Sequence, residues 1–164
     1  MSHQPDTSAG FYRLHSSRYA EVAHSFTQST YASSSLPWLK NDWDILRRAE
    51  AIVPEGHALD AGCGAGARDV YKLWCDGYDA WGIDAVQENV DTARRMHPEI
   101  ADRVSVADLS KPLSYETGTF DLVLCNAVIQ HIPTEDAFAV TFPELIRVLR
   151  PGGLLQLMFK CGEG

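Results

Sequence analysis

The sequence predicts an α/β domain, a doubly wound Rossmann-like parallel sheet with helices on both faces. Three observations lead there. Apolar runs of strand length alternate with helix-length amphipathic runs from about residue 53 onward. The run Phe120-Asp-Leu-Val-Leu-Cys-Asn126 is apolar on both sides, as a central strand covered twice must be. The first run, Ala58-Leu-Asp60, passes directly into glycines at Gly62, Gly64 and Gly66 before a helix-like stretch. Such a turn can bring backbone N–H groups and the positive end of a helix close to a ligand.

Residues 1–10 are polar and read as a disordered tail, without the apolar core of a signal peptide. Residues 11–52 read as a helical lid or cap. Leu36, Leu39, Trp43, Leu46 and Ala49 make an apolar stripe with Pro37 in its first turn, and aromatics such as Tyr19 and Tyr31 can close over a ligand. Pro54-Glu-Gly56 ends that helix, and residues 53–164 carry the core. A helix is predicted over 68–74, a strand over 78–84, a helix over 86–96 stopped by Pro98, and a strand over 104–108. The central strand 120–126 is followed by a helix over 134–149, with Thr134 as its N-cap. Arg150-Pro-Gly-Gly153 is a turn, and residues 154–159 are the fifth strand.

At 164 residues the chain fits a single domain. A hydrophobic fraction of 45% with no apolar run of membrane-spanning length predicts a cytoplasmic protein without a membrane partner. The net charge of −8 opposes a nucleic-acid partner, because phosphate binding needs a positive field. Cys63, Cys75, Cys125 and Cys161 have no C-x-x-C spacing, so neither a disulfide framework nor a metal site is indicated.

Gly62-x-Gly64-x-x-Ala67 satisfies a loose dinucleotide fingerprint, with Asp84 about 20 residues downstream where a nicotinamide ribose acid would stand. Asp60-x-Gly62-x-Gly64-x-Gly66, with its acid two residues before the first glycine, resembles instead the first motif of class I S-adenosylmethionine-dependent methyltransferases. The resemblance spans about residues 50–160 and includes the turn Leu149-Arg-Pro-Gly-Gly153. It implies S-adenosyl-L-methionine as cofactor, S-adenosyl-L-homocysteine as product, and a small-molecule methyl acceptor at oxygen or nitrogen. On the residues alone, two other readings stay open: a cofactor-binding domain without turnover and a nicotinamide oxidoreductase.

The resemblance also assigns roles. Asp84 would accept both ribose hydroxyls, a task suited to a carboxylate with two acceptor oxygens. Asp108 would take the adenine amine, with the backbone of Leu109 serving the ring and Ala85 forming part of its wall. Asp60 would orient the glycine loop and the methionine end of the cofactor, with backbone contacts from Ala61 and Gly62. Asn126 and Ala127 close the fourth strand and face the expected methyl-transfer centre. His131, whose imidazole has an ordinary pKa near 6.5, is the candidate general base, set against a reading as a hydrogen-bonded histidine behind the site. The chain lacks the Asp/Asn-Pro-Pro-Tyr/Phe motif of amino-methylating nucleic-acid enzymes. Arg68-Asp69 resembles the Arg-Asp of tellurite-resistance and thiopurine methyltransferases, displaced by one residue.

The family's sheet continues with two further strands, which this sequence, ending at Gly164, does not contain. The fifth strand is therefore expected to be an exposed edge, for which three readings stay open: a truncated product, a second copy pairing along it as a homodimer, or a naturally reduced fold.

Overall fold

In the computed structural model, which describes residues 42–159, helix α1 (Asp42–Ile52) leads into strand β1 (His57–Ala61). There follow α2 (Arg68–Cys75), β2 (Asp79–Asp84), α3 (Gln87–Met96) and β3 (Val104–Val106). The second half comprises β4 (Phe120–Asn126), a helical stretch over 134–148 whose last segment is α4 (Phe142–Val148), and β5 (Leu149–Met158). The strands stand in the order β3-β2-β1-β4-β5, and every pairing is parallel. The predicted doubly wound sheet is thus present. Among the described residues β5 is its outer strand.

Side-chain alternation divides the core. Ala58, Leu122 and Leu124 turn to the face covered by α1, α2 and α3, where Leu46, Val70 and Val90 are buried. Leu59, Ala61, Val123 and Cys125 turn to the other face, against Leu145 and Val148 of α4. Each large apolar side chain removed from water here contributes about 1.5–3 kcal/mol. Phe120 through Cys125 are all buried, as a strand covered on both sides requires.

Residues 1–41 lie outside the described residues, and with them the tail, most of the lid, Tyr19 and Tyr31. Elsewhere the structure departs from the sequence reading in three places. Strand β3 ends at Val106, because Asp108 bends the chain into a turn in which its Oδ1 accepts from the Ser110 amide at 2.9 Å and hydroxyl at 2.7 Å. The helix over 134–148 is interrupted by a π-turn at Ala137–Thr141, and its cap position is Pro133, not Thr134. Residues 150–153 belong to β5, whose register against β4 shifts between Phe120 and Leu122 to accommodate the turn.

Candidate cofactor-binding site

From β1 the chain runs to β2 and β3 on one side of the sheet and returns to β4 and β5 on the other. A parallel sheet of this kind opens a crevice at the carboxyl ends of the two strands where the order reverses, here β1 and β4. The glycine loop leaves β1 at that point. The amides of Gly62 and Cys63 both donate to the Ile83 carbonyl, at 2.8 and 2.9 Å, folding the loop over the end of β2. Gly62 has φ +101°, and a Cβ there would stand 2.2 Å from Cγ2 of Val128, so only glycine lets the loop and the β4 exit meet. Gly64 has φ +65°, and a Cβ there would meet nothing within 4 Å. The loop is therefore pressed against protein at one glycine and faces open space at the next.

Asp84, at the end of β2, binds the loop directly. Its Oδ2 accepts the Gly64 N–H at 3.0 Å, and its Oδ1 accepts the Val86 N–H at 2.9 Å and Asn89 Nδ2 at 3.0 Å. Burial nevertheless raises its pKa, against the pull of these three donors. Register places Asp84 opposite Val106, so Asp108 follows two residues beyond its neighbour on the adjoining strand. The two acids thus lie at adjacent strand ends, beside the glycine loop. Asp60 is 5% exposed, and burial, reinforced by the charge of Asp69, holds its carboxyl well above the usual carboxylate range.

The exit of β4 forms the other wall. Ala127 has φ +57°, a conformation that a residue with a Cβ seldom adopts, and its N–H is held by the Met158 carbonyl at 2.6 Å. His131 ends the short 3-10 turn Ile129–His131 that follows, half-buried, with its N–H on the Val128 carbonyl at 2.9 Å. Leu109 is steadied from the opposite layer, where the buried Thr141 hydroxyl donates to its carbonyl at 2.8 Å. Thr141 is the last residue of the π-turn.

Asp60, Ala61, Gly62, Gly64, Gly66, Asp84, Ala85, Asp108, Leu109, Asn126, Ala127 and His131 all fall at or just after the carboxyl ends of β1 to β4. Sequence reasoning gave no site role to Val128, which fixes the loop, to Thr141, or to Asp69 and Gln156, which bracket Asn126. Gln156 had a signal, since it is the one polar residue in Leu154-Leu-Gln-Leu-Met158. A separate cleft of about 420 Å³, lined by Trp43, Glu50, Lys72 and Tyr78 among others, contains no glycine-loop or strand-end residue.

The space over Gly64 is thus open and bordered by the Asp84 carboxylate. Fold and site together define the Rossmann-like class I S-adenosylmethionine-dependent methyltransferase type. Residues 59–157 match the model of the methyltransferase domain family, and the chain belongs to that family. It is 30% identical over 106 residues to the 2-methyl-6-phytyl-1,4-hydroquinone methyltransferase of Synechocystis, covering 65% of this chain and 32% of that protein. It is 35% identical over 98 residues to the malonyl-[acyl-carrier protein] O-methyltransferase of Enterobacter lignolyticus, covering 59% of this chain and 36% of that one. Among solved structures, a TehB-like SAM-dependent methyltransferase from Corynebacterium glutamicum superposes with a TM-score of 0.63 at 26% identity, covering 90% of this chain and 71% of the other. The chain spans about a third of the length of the two curated relatives named above. Among the described residues no helix is long and apolar enough to cross a membrane.

Proposed function

We propose that this chain binds S-adenosyl-L-methionine and transfers its methyl group to oxygen or nitrogen of a small molecule. The observation that carries the reading is the bond from the Gly64 amide to Asp84, beside Asp108 on the neighbouring strand. A carboxylate so placed uses three of its four lone-pair sites on Gly64, Val86 and Asn89 and can accept a ribose hydroxyl with the fourth. Asp108 and the Leu109 backbone would then meet the adenine, with Ala85 against its ring. Asp60, Ala61 and the β4 exit at Asn126 and Ala127 would surround the methionine end. The relatives named as O-methyltransferases of a malonyl carrier protein and of ubiquinone biosynthesis support an oxygen acceptor.

When bound, the sulfonium supplies an already activated methyl group. What remains for the chain is orientation and exclusion of water, the larger part of catalysis when reactants are held in line. His131, on the turn after β4, is the group we assign to take a proton from the acceptor's hydroxyl or ammonium.

The test combines calorimetry with a turnover assay. Heat on adding S-adenosyl-L-homocysteine, lost in Asp84→Ala, together with methyl transfer to a compound in a metabolite panel, is the expected result. Binding without transfer would reduce the reading to a cofactor-binding domain, and heat with NAD instead would overturn it.

A further inference from the structure

Asn126 does not stand alone at the end of β4. Its Nδ2 donates to Oδ2 of Asp69 at 3.2 Å, and its Oδ1 accepts from Nε2 of Gln156 on β5 at 3.0 Å. Asp69, in the first turn of α2, is 5% exposed and ion-paired through Oδ1 to Arg68 at 2.7 Å. The Arg68 guanidinium in turn lies 4.4 Å from the ring centroid of Trp43 on α1. A single line of polar groups therefore runs from α1 under the glycine loop to the two strands beyond it.

The direction of this line is dictated from one end. A carboxylate can only accept, so Asn126 must turn its NH₂ toward Asp69 and its oxygen toward Gln156. Gln156 must then present its own NH₂, which leaves its Oε1 buried without a partner among the described residues. A leucine in that apolar strand would remove this orphaned oxygen but would take the donor from Asn126 Oδ1, so the glutamine is explained by its bond to Asn126 and not by packing.

We propose that Asp69 is a positioning residue for the cofactor cradle, fixing the Asn126 amide through a polarised Asp69–Asn126–Gln156 relay. By anchoring Asn126 it also sets the exit of β4, where Ala127 holds its left-handed backbone and Val128 meets Gly62. The inference rests on the methyltransferase reading for what the cradle holds, and on the relay itself for how it is held.

The test uses the full chain labelled with ¹⁵N, the side-chain amides being assigned with Asn126→Asp and Gln156→Leu. In the native chain one Asn126 NH₂ proton is expected downfield and slow to exchange, and Asp69→Asn abolishes that signature. The same change weakens S-adenosyl-L-homocysteine about tenfold, the size expected when a charged hydrogen-bond partner is lost. Combining Asp69→Asn with Asn126→Asp puts the carboxylate at the other end of the same bond, where it still accepts the Gln156 NH₂; affinity is expected to return to within about threefold. A double variant no better than the single one, or an unshifted resonance, would overturn the relay. Should Asp69→Asn not fold, Gln156→Leu disturbs no charge and removes the orphaned oxygen. It also takes the Nε2 donor from Asn126 Oδ1, and is expected to weaken binding about threefold or more with the fold retained by circular dichroism; unchanged binding with an unchanged Asn126 resonance would overturn the proposal. A native chain that bound no S-adenosyl-L-homocysteine would defeat the methyltransferase reading, while the amide resonances would still decide the relay.

Discussion

The backbone N–H of Gly64 donates to Oδ2 of Asp84 across 3.0 Å, joining residues 20 positions apart on two strand ends. Loop conformation and carboxylate position are one unit, because moving either breaks a bond held by both. Asp84 is fixed from its other oxygen as well, by Val86 and Asn89. A preset acceptor of this kind needs little reordering when a ligand arrives, which favours affinity.

The two glycines facing opposite neighbours should respond differently to a methyl group. Gly62→Ala drives a Cβ to 2.2 Å from Val128 at φ +101° and should destabilise the chain by about 1–3 kcal/mol. Adding Val128→Ala should return part of that loss. Gly64→Ala clashes with no protein atom but places its methyl in the open crevice at φ +65°, so binding of S-adenosyl-L-homocysteine should suffer more than folding does. Urea unfolding and calorimetry on the same samples separate the two effects, and equal behaviour of the variants would contradict the assignment of faces.

Thr141→Val keeps the shape of a fully buried side chain and removes the donor to the Leu109 carbonyl. An orphaned buried acceptor costs about 1–3 kcal/mol, so the unfolding midpoint should drop measurably. Because Leu109 follows Asp108, affinity for S-adenosyl-L-homocysteine should fall as well. A stability loss with unaltered affinity would separate this contact from the site.

Two groups contribute to the acid limb of stability in different windows. Burial lowers the pKa of His97, which stacks on Tyr71 at 4.0 Å between ring centroids, while Glu99 and the Gly66 backbone act the other way. The unfolded chain therefore takes up this proton first. Stability from the neutral ring is complete above 6.5 and declines as pH falls through the lowered folded value. His97→Phe, which preserves a stacked ring, should flatten that slope in urea unfolding.

Glu144 acts further into acid. Its pKa is pushed down to about 2 by hydrogen bonds from Arg147 and the Leu113 amide. The stability it contributes is present above 4.5 and is lost as pH falls toward 2, so Glu144→Gln should remove that portion of the acid limb. Since Arg147 also binds the Leu113 and Tyr115 carbonyls, Arg147→Ala should speed hydrogen exchange around residues 113–118. Unchanged exchange there would contradict the role given to Arg147.

The alternation of apolar runs made the sheet legible, and the acids at 60 and 84 mark strand ends in the sequence, whereas Asp108 lies two residues past β3 in a turn closed by Ser110. Spacing alone did not reveal partners contributed by distant elements. Nothing near Asn126 in the chain points to Asp69, 57 residues earlier, or to Gln156, 30 residues later. The π-turn that brings Thr141 to Leu109 also escaped, since a single wide turn barely disturbs the helical pattern. Thr134 was read as a cap from its residue type, but Pro133 already sets the extended entry to the helix with φ −51° and ψ 136°.

The central claim is that Asp84 receives the cofactor's sugar while holding the loop, and titration calorimetry of S-adenosyl-L-homocysteine against Asp84→Asn tests it most directly. This variant retains the shape of the side chain and removes its charge and one acceptor oxygen. The account predicts native binding weakened at least about tenfold in the variant, with the fold retained by circular dichroism. Equal affinity in the two proteins would contradict it.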